Sequence, residues 1–123
     1  MFTVDTNALI YLAAGERKVA EFFTEESKNN AEFFLPTIVI AEYLRYTKLS
    51  EQDKQIFFEL TNEFIEVDLN RDIAVFASEI SKRFSLPLAD SVIAATALET
   101  DSVLITRNVK DFKKVQDLML QAI

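Results

Sequence analysis

The sequence predicts a three-layer α/β/α sandwich around a central parallel sheet of four or five strands. Two observations carry this. Four short runs of strand-forming residues alternate with paired stretches of helical periodicity, in the order β, α, α, β, α, α, β, α, α, β. Right-handed crossovers between parallel strands would then place helices on both faces. The second observation is the scarcity of breakers: Gly15 and two prolines, Pro36 and Pro87, leave no flexible linker, repeat or low-complexity tract. A single domain spanning 1–123 is therefore expected, large enough to bury roughly two thirds of the surface its unfolded chain exposes.

The elements follow in order. Phe2-Thr3-Val4-Asp5 is a short strand, and Thr6 or Asn7 can cap the helix Ala8 to Ala14 that Gly15 ends. A second helix, Glu16 to about Lys28, collects Val19, Phe22 and Phe23 on one face before Asn29-Asn30 breaks it. Phe33-Phe34-Leu35 is a buried strand closed by Pro36, after which Thr37 can cap a helix running to about Lys48. Ser50 to Asp53 opens the next helix, with Ile56, Phe57, Leu60 and Phe64 spaced as its core face. Phe64 to Asp68 is the third strand, and Asn70 caps a helix that buries Ile73, Phe76, Ala77, Ile80 and Phe84. Pro87 suits the first turn of the helix Leu88 to about Glu99, which is apolar nearly all round and so belongs in the interior. Ser102 to Thr106 is the fourth strand. Arg107 to Ile123 carries no clear pattern.

Composition narrows the chemistry. Cysteine and histidine are both absent, which removes disulfides, thiol nucleophiles, imidazole bases and zinc or haem ligation. Catalysis must run on carboxylates, hydroxyls, lysines or a metal held by oxygen. No basic segment followed by an apolar core opens the chain and no apolar run approaches membrane-spanning length, so a soluble, cytoplasmic protein is expected. The net charge of −7 argues against a general nucleic-acid coating protein. Yet Ser102 to Val115 sets Arg107, Lys110, Lys113 and Lys114 against Asp111 alone. That stretch is either a solvated face or a basic lip beside an acidic pocket.

Parallel strands all end at one edge, where open α/β sheets bind ligands. Asp5 closes the first strand; Glu42 lies in the second turn of the helix after the second strand. Asp90 lies in the first turn of the helix leading to the fourth strand, and Arg107 to Asp111 follows that strand. All should meet at this edge. Glu42 and Asp90 sit among apolar neighbours, Ile38 to Ala41 before one and Val92 to Ala95 after the other. Two carboxylates about 4 Å apart at an effective dielectric of about 20 repel by roughly 4 kcal/mol. Either their pKa values rise or a cation neutralises them. Mg²⁺ or Mn²⁺ would suit an all-oxygen site and activate water toward a phosphodiester. Taken singly, each acid has a plainer explanation as a cap, a helix-rim residue or a complement to a helix dipole.

VDTNALI, PTIVIAEYL, LPLADSVIAATAL and LITRNVKDF, in this order across residues 2–112, resemble the PIN-domain nucleases, and within them the toxin ribonucleases of VapBC-type toxin-antitoxin modules. The resemblance implies a parallel sheet wrapped by helices and hydrolysis of RNA with Mg²⁺ or Mn²⁺. By position it places metal carboxylates on Asp5, Glu42 and Asp90. Where the family often carries a fourth acid, this chain has Asn108, an uncharged oxygen donor; Asp111 is the alternative, reaching the site through water or by turning inward, or else acting only as a cap. Thr106 resembles the family's positioning hydroxyl, and equally suits a plain strand end. Asn7 and Arg107 are further candidates. The resemblance also implies a homodimer and a cognate antitoxin whose tail fills the acidic groove.

Rival functions are a PIN-like binding or scaffold protein without turnover, suggested by Asn108, and a phosphotransfer domain. A receiver domain would show an acidic pair beside its phosphorylated Asp and a late strand-end Lys, where this chain has VDTN and ITRN. A haloacid-dehalogenase-like phosphatase would resemble DxDx[TV], and Asp5 is followed by Thr6-Asn7. For RNA contact, Tyr43, Arg45, Tyr46, Arg83, Arg107 and Lys110 are the basic or stacking side chains available.

Overall fold

A computed structural model describes residues 1–46 and 48–123. Along the chain run β1 (Phe2–Val4), α1 (Thr6–Ala13), α2 (Arg17–Lys28), β2 (Phe33–Pro36), α3 (Thr37–Leu44) and α4 (Glu51–Thr61). Then come β3 (Ile65–Val67), α5 (Arg71–Phe84), α6 (Leu88–Glu99), β4 (Val103–Thr106), α7 (Val109–Phe112) and β5 (Leu120–Ala122). The strands form one five-stranded sheet in the order β3-β2-β1-β4-β5, and every pairing is parallel. The α/β/α architecture predicted from the sequence is the one observed.

The strand order decides where a ligand can sit. From β1 the chain winds outward through β2 and β3, then returns to lay β4 on the other side of β1. Crossovers diverge at that point, so a crevice opens beyond the carboxyl ends of β1 and β4. Val4 pairs with Ile105 in register, which sets Asp5 and Thr106 side by side at the crevice floor. β5 extends the sheet beyond β4, with Leu104 facing Leu120 and Thr106 facing Ala122. The sequence pattern hides this strand because it is three residues long and carries Gln121 at its centre.

Local chemistry corrects several boundaries. Neither Thr6 nor Asn7 caps α1; Asp5 does, its Oδ1 accepting the Ala8 N–H at 2.7 Å. Thr37 is already the first helical residue of α3, which Pro36 precedes without a side-chain cap. The Thr37 hydroxyl instead accepts the Leu69 N–H at 3.3 Å, tying α3 to the end of β3. α3 stops at Leu44, about a turn short of the expected Lys48. The capping box at Ser50 and Asp53 forms, both bonds at 3.0 Å, and Asn70 caps α5 through the Ile73 N–H at 2.9 Å. Phe64 belongs to neither α4 nor β3 but to the turn between them. There its ring joins Phe23 and Phe33 in the aromatic cluster between sheet and helices.

The core is continuous through both helical layers. α6 is its centre: Ser91 to Ala97 are all buried, and the hydroxyls of Ser91 and Thr96 are satisfied by carbonyls one turn back, those of Pro87 and Val92. Burying α6 fixes the direction of its first turn, and with it Asp90. Phe57 of α4 stacks on Tyr43 of α3 at 4.6 Å between centroids, fixing the helix that carries Glu42.

Candidate functional site

The crevice has a volume of about 590 Å³ and is walled by Asp5, Thr6, Asn7, Ile10, Glu42, Arg45, Tyr46, Asp90, Ile93, Asn108 and Phe112. The sheet edge thus gathers Asp5, Glu42, Asp90, Asn108 and Asn7, five of the residues singled out from the sequence. Of the others, Thr106 lies beneath the wall, while Asp111 and Arg107 stand outside it.

Asp5 is the deepest acid, 3% exposed. It is placed twice over, by the β1 ladder and by its own role as cap of α1. Burial lifts its pKa from 3.8 to about 6, and the charges of Asp90 and Glu42 push the same way; the Thr106 hydroxyl and the Ala8 N–H partly offset them. Asp90 is only half-buried, and its pKa is raised by burial first, then by Glu42 and by Asp111. The sequence predicts the water-poor pair at Glu42 and Asp90. In the fold both reach partly into solvent, because each lies on the helix side that opens to the crevice, and Asp5 bears the greatest desolvation.

Glu42 is held by a neighbour that sequence reasoning assigned elsewhere. The Thr6 hydroxyl donates to Glu42 Oε1 at 2.7 Å. A hydroxyl next in sequence to Asp5 was a signal for this contact, since residue 6 begins α1 at the same edge. Thr106 is fully buried, and its Oγ1 accepts the Asn108 N–H at 2.9 Å, which folds the segment after β4 so that Asn108 faces the crevice. Asn108 spends no side-chain bond on capping α7. Asp111 pairs loosely with Lys114 at 3.8 Å and acts on the site through its charge on Asp90.

Arg107 is turned away. Its guanidinium lies 3.8 Å from the centroid of the Tyr11 ring, bonds Glu16 at 2.5 Å and reaches the Ile123 carbonyl at 3.1 Å. The basic stretch thus reaches the crevice through Asn108 and Phe112 rather than through its charges: Arg107 ties α1, α2 and β5 together, Lys114 faces Asp111, and among the described residues the cation on the crevice wall is Arg45.

Among the described residues no group of three or more acids stands close enough to hold a metal ion. The donors are nonetheless of the kind a hard divalent ion takes: three carboxylates, the amide oxygens of Asn7 and Asn108, and no imidazole or thiolate. Burial first, and their mutual repulsion after it, raises the pKa of Asp5 and of Asp90, and a cation would relieve both effects. In donor chemistry the site fits such an ion, with the carboxylates standing apart.

Fold and site together define an open α/β protein with an acidic crevice at the switch point of its sheet. The chain belongs to the PIN-domain family, whose pattern it matches over residues 2–118. It is 29% identical to Ribonuclease VapC1 of Haemophilus influenzae over 98% of this chain and 96% of that one. The structure of VapBC-1 from nontypeable Haemophilus influenzae superposes with a TM-score of 0.81 at 26% identity, covering 98% of this chain and 96% of the other. VapBC2 from Rickettsia felis, bound to a DNA fragment from its promoter, shares the fold with a TM-score of 0.87 at 20% identity over 99% and 98%.

Proposed function

We propose that the protein is an Mg²⁺- or Mn²⁺-dependent endoribonuclease, the toxin of a VapBC-type toxin-antitoxin pair. The observation that carries this is the meeting of Asp5, Glu42 and Asp90 on one crevice at the sheet's switch point, in a chain homologous to VapC ribonucleases. Asp5 and Asp90 would hold the cation with Glu42 beside them, Asn108 or Asp111 would complete the set, and a second ion would be taken up only together with RNA. The bound ion would lower the pKa of its water and bear charge on the phosphoryl oxygens. The chain's own part is positioning. Thr6 orients Glu42, Thr106 orients Asn108, and the α1 cap keeps Asp5 from rotating. Asn7, exposed on the crevice wall, would meet the substrate's sugar or phosphate. Hydrolysis adds a water oxygen to phosphorus and breaks the P–O bond to the leaving nucleotide.

The same reading makes the chain one cytoplasmic domain that works as a homodimer and is silenced by an antitoxin. Support comes from solved toxin-antitoxin complexes that contain a chain of this fold, among them one from Klebsiella pneumoniae at 26% identity. The testing experiment is RNA cleavage with Mg²⁺ or Mn²⁺ against EDTA, for wild type, Asp5→Asn and Asp90→Asn. Cleavage by the wild type alone, and only with metal, is expected; undiminished cleavage by either variant sinks the proposal. A PIN-like binding protein without turnover is the second reading, favoured by the uncharged Asn108 and by the separation of the carboxylates. Failure to take up a divalent ion at millimolar concentration would select it.

A further inference from the structure

The fold sorts the six basic and stacking side chains that the sequence offered for RNA contact. Tyr43 is buried against Phe57. Arg83 lies over Phe84 and bonds Gln116, away from the crevice wall. Arg107 is committed to Tyr11 and Glu16, and Lys110, though exposed, does not line the crevice. Arg45 and Tyr46 remain, and both stand on the crevice wall with the three carboxylates.

Their condition there is unusual. Arg45 follows Glu42 by three residues, the spacing at which such a pair ordinarily meets on a helix surface. Glu42 instead accepts from Thr6, and Arg45 forms no ion pair among the described residues. An exposed arginine at the end of α3 has a use in opposing the helix dipole, but that use does not require a place on an acidic crevice. Tyr46 is 61% exposed and no aromatic ring packs on it among the described residues; Ile10, 44% exposed, lies on the same wall. An unpaired guanidinium beside an unstacked ring offers the two things a nucleotide needs, a partner for its phosphate and a face for its base.

We propose that Arg45 and Tyr46 form a nucleotide subsite on the crevice rim, holding one unpaired RNA nucleotide next to the phosphodiester to be cut. Arg45 takes the phosphate and Tyr46 stacks on the base. The inference rests on the nuclease reading above. Because every base has a π face, this subsite selects unpaired over paired RNA and discriminates weakly among bases.

The test measures anisotropy of a labelled single-stranded RNA in EDTA, where metal-dependent cutting is absent, for wild type, Tyr46→Ala, Tyr46→Phe and Arg45→Gln. Tyr46→Ala should weaken binding by about fivefold or more, Tyr46→Phe should stay near wild type, and Arg45→Gln should weaken binding and flatten its salt dependence. Equal affinity in all four proteins, or no saturable binding by wild type, overturns the subsite. So does a Tyr46-dependent affinity for a basic peptide with RNA affinity unchanged, which would assign this wall to a protein partner. Cleavage by wild type with Mn²⁺ is read separately. Cutting that neither Tyr46→Ala nor Arg45→Gln slows removes the subsite and leaves the nuclease. Tyr46-dependent RNA binding without cutting does the reverse.

Discussion

Replacing Asp5 by Asn should stabilise the metal-free protein at neutral pH, and the gain should vanish in acid. The folded chain holds this carboxyl at about 6 against an ordinary 3.8. Each tenfold in proton affinity is worth about 1.4 kcal/mol, so keeping Asp5 ionised inside the fold costs about 3 kcal/mol. The sign follows from proton counting. Below about pH 4 both folded and unfolded chains carry the proton and the cost is zero. Between about pH 4 and 6 the unfolded chain loses it first, so stability falls as pH rises; above about pH 6 the whole cost is present. Asn keeps an oxygen to accept the Ala8 N–H and serves as well as Asp at a helix start. In EDTA at pH 8 the variant should therefore melt about 10 °C higher, with the gap closing toward pH 4. Thermal unfolding of both proteins across that range checks it. A gap independent of pH, or a variant less stable at pH 8, would refute the burial argument for Asp5.

Other consequences are as direct. Thr6→Val removes the donor that holds Glu42 Oε1 and should lower Mn²⁺ affinity by about tenfold, read by calorimetry, with little change in fold by circular dichroism. Phe57→Ala empties a site 1% exposed and stacked on Tyr43, costing about 3 to 5 kcal/mol in urea unfolding. Arg107→Ala should lower Tm by loosening α1, α2 and β5 from one another, yet leave Mn²⁺ affinity within a factor of about two, because its side chain faces Tyr11 and Glu16 rather than the crevice.

Most of the architecture was legible because β1, β2 and β4 are short and largely apolar and because α2, α5 and α6 repeat their buried residues at helical intervals. Asp5, Glu42 and Asp90 were placed at one edge by strand and helix direction alone, and the crevice indeed has all three on its wall. What escaped were features set by single contacts. Thr6 and Asp5 exchange the roles of cap and polar neighbour, since Asp5 sits one residue nearer the strand end and its oxygen reaches the Ala8 N–H. β5 is recruited by Leu104 and Thr106 rather than by its own pattern. Arg107 could not be told from a substrate contact by sequence, because Tyr11 and Glu16 lie more than ninety residues earlier.

Whether these carboxylates bind a divalent cation is decided by calorimetric titration of Mn²⁺ into wild type, Asp5→Asn and Asp90→Asn. Saturable binding by wild type, weakened at least about tenfold in each variant, is the predicted result. Equal binding in all three proteins, or none in the wild type at millimolar Mn²⁺, would contradict it.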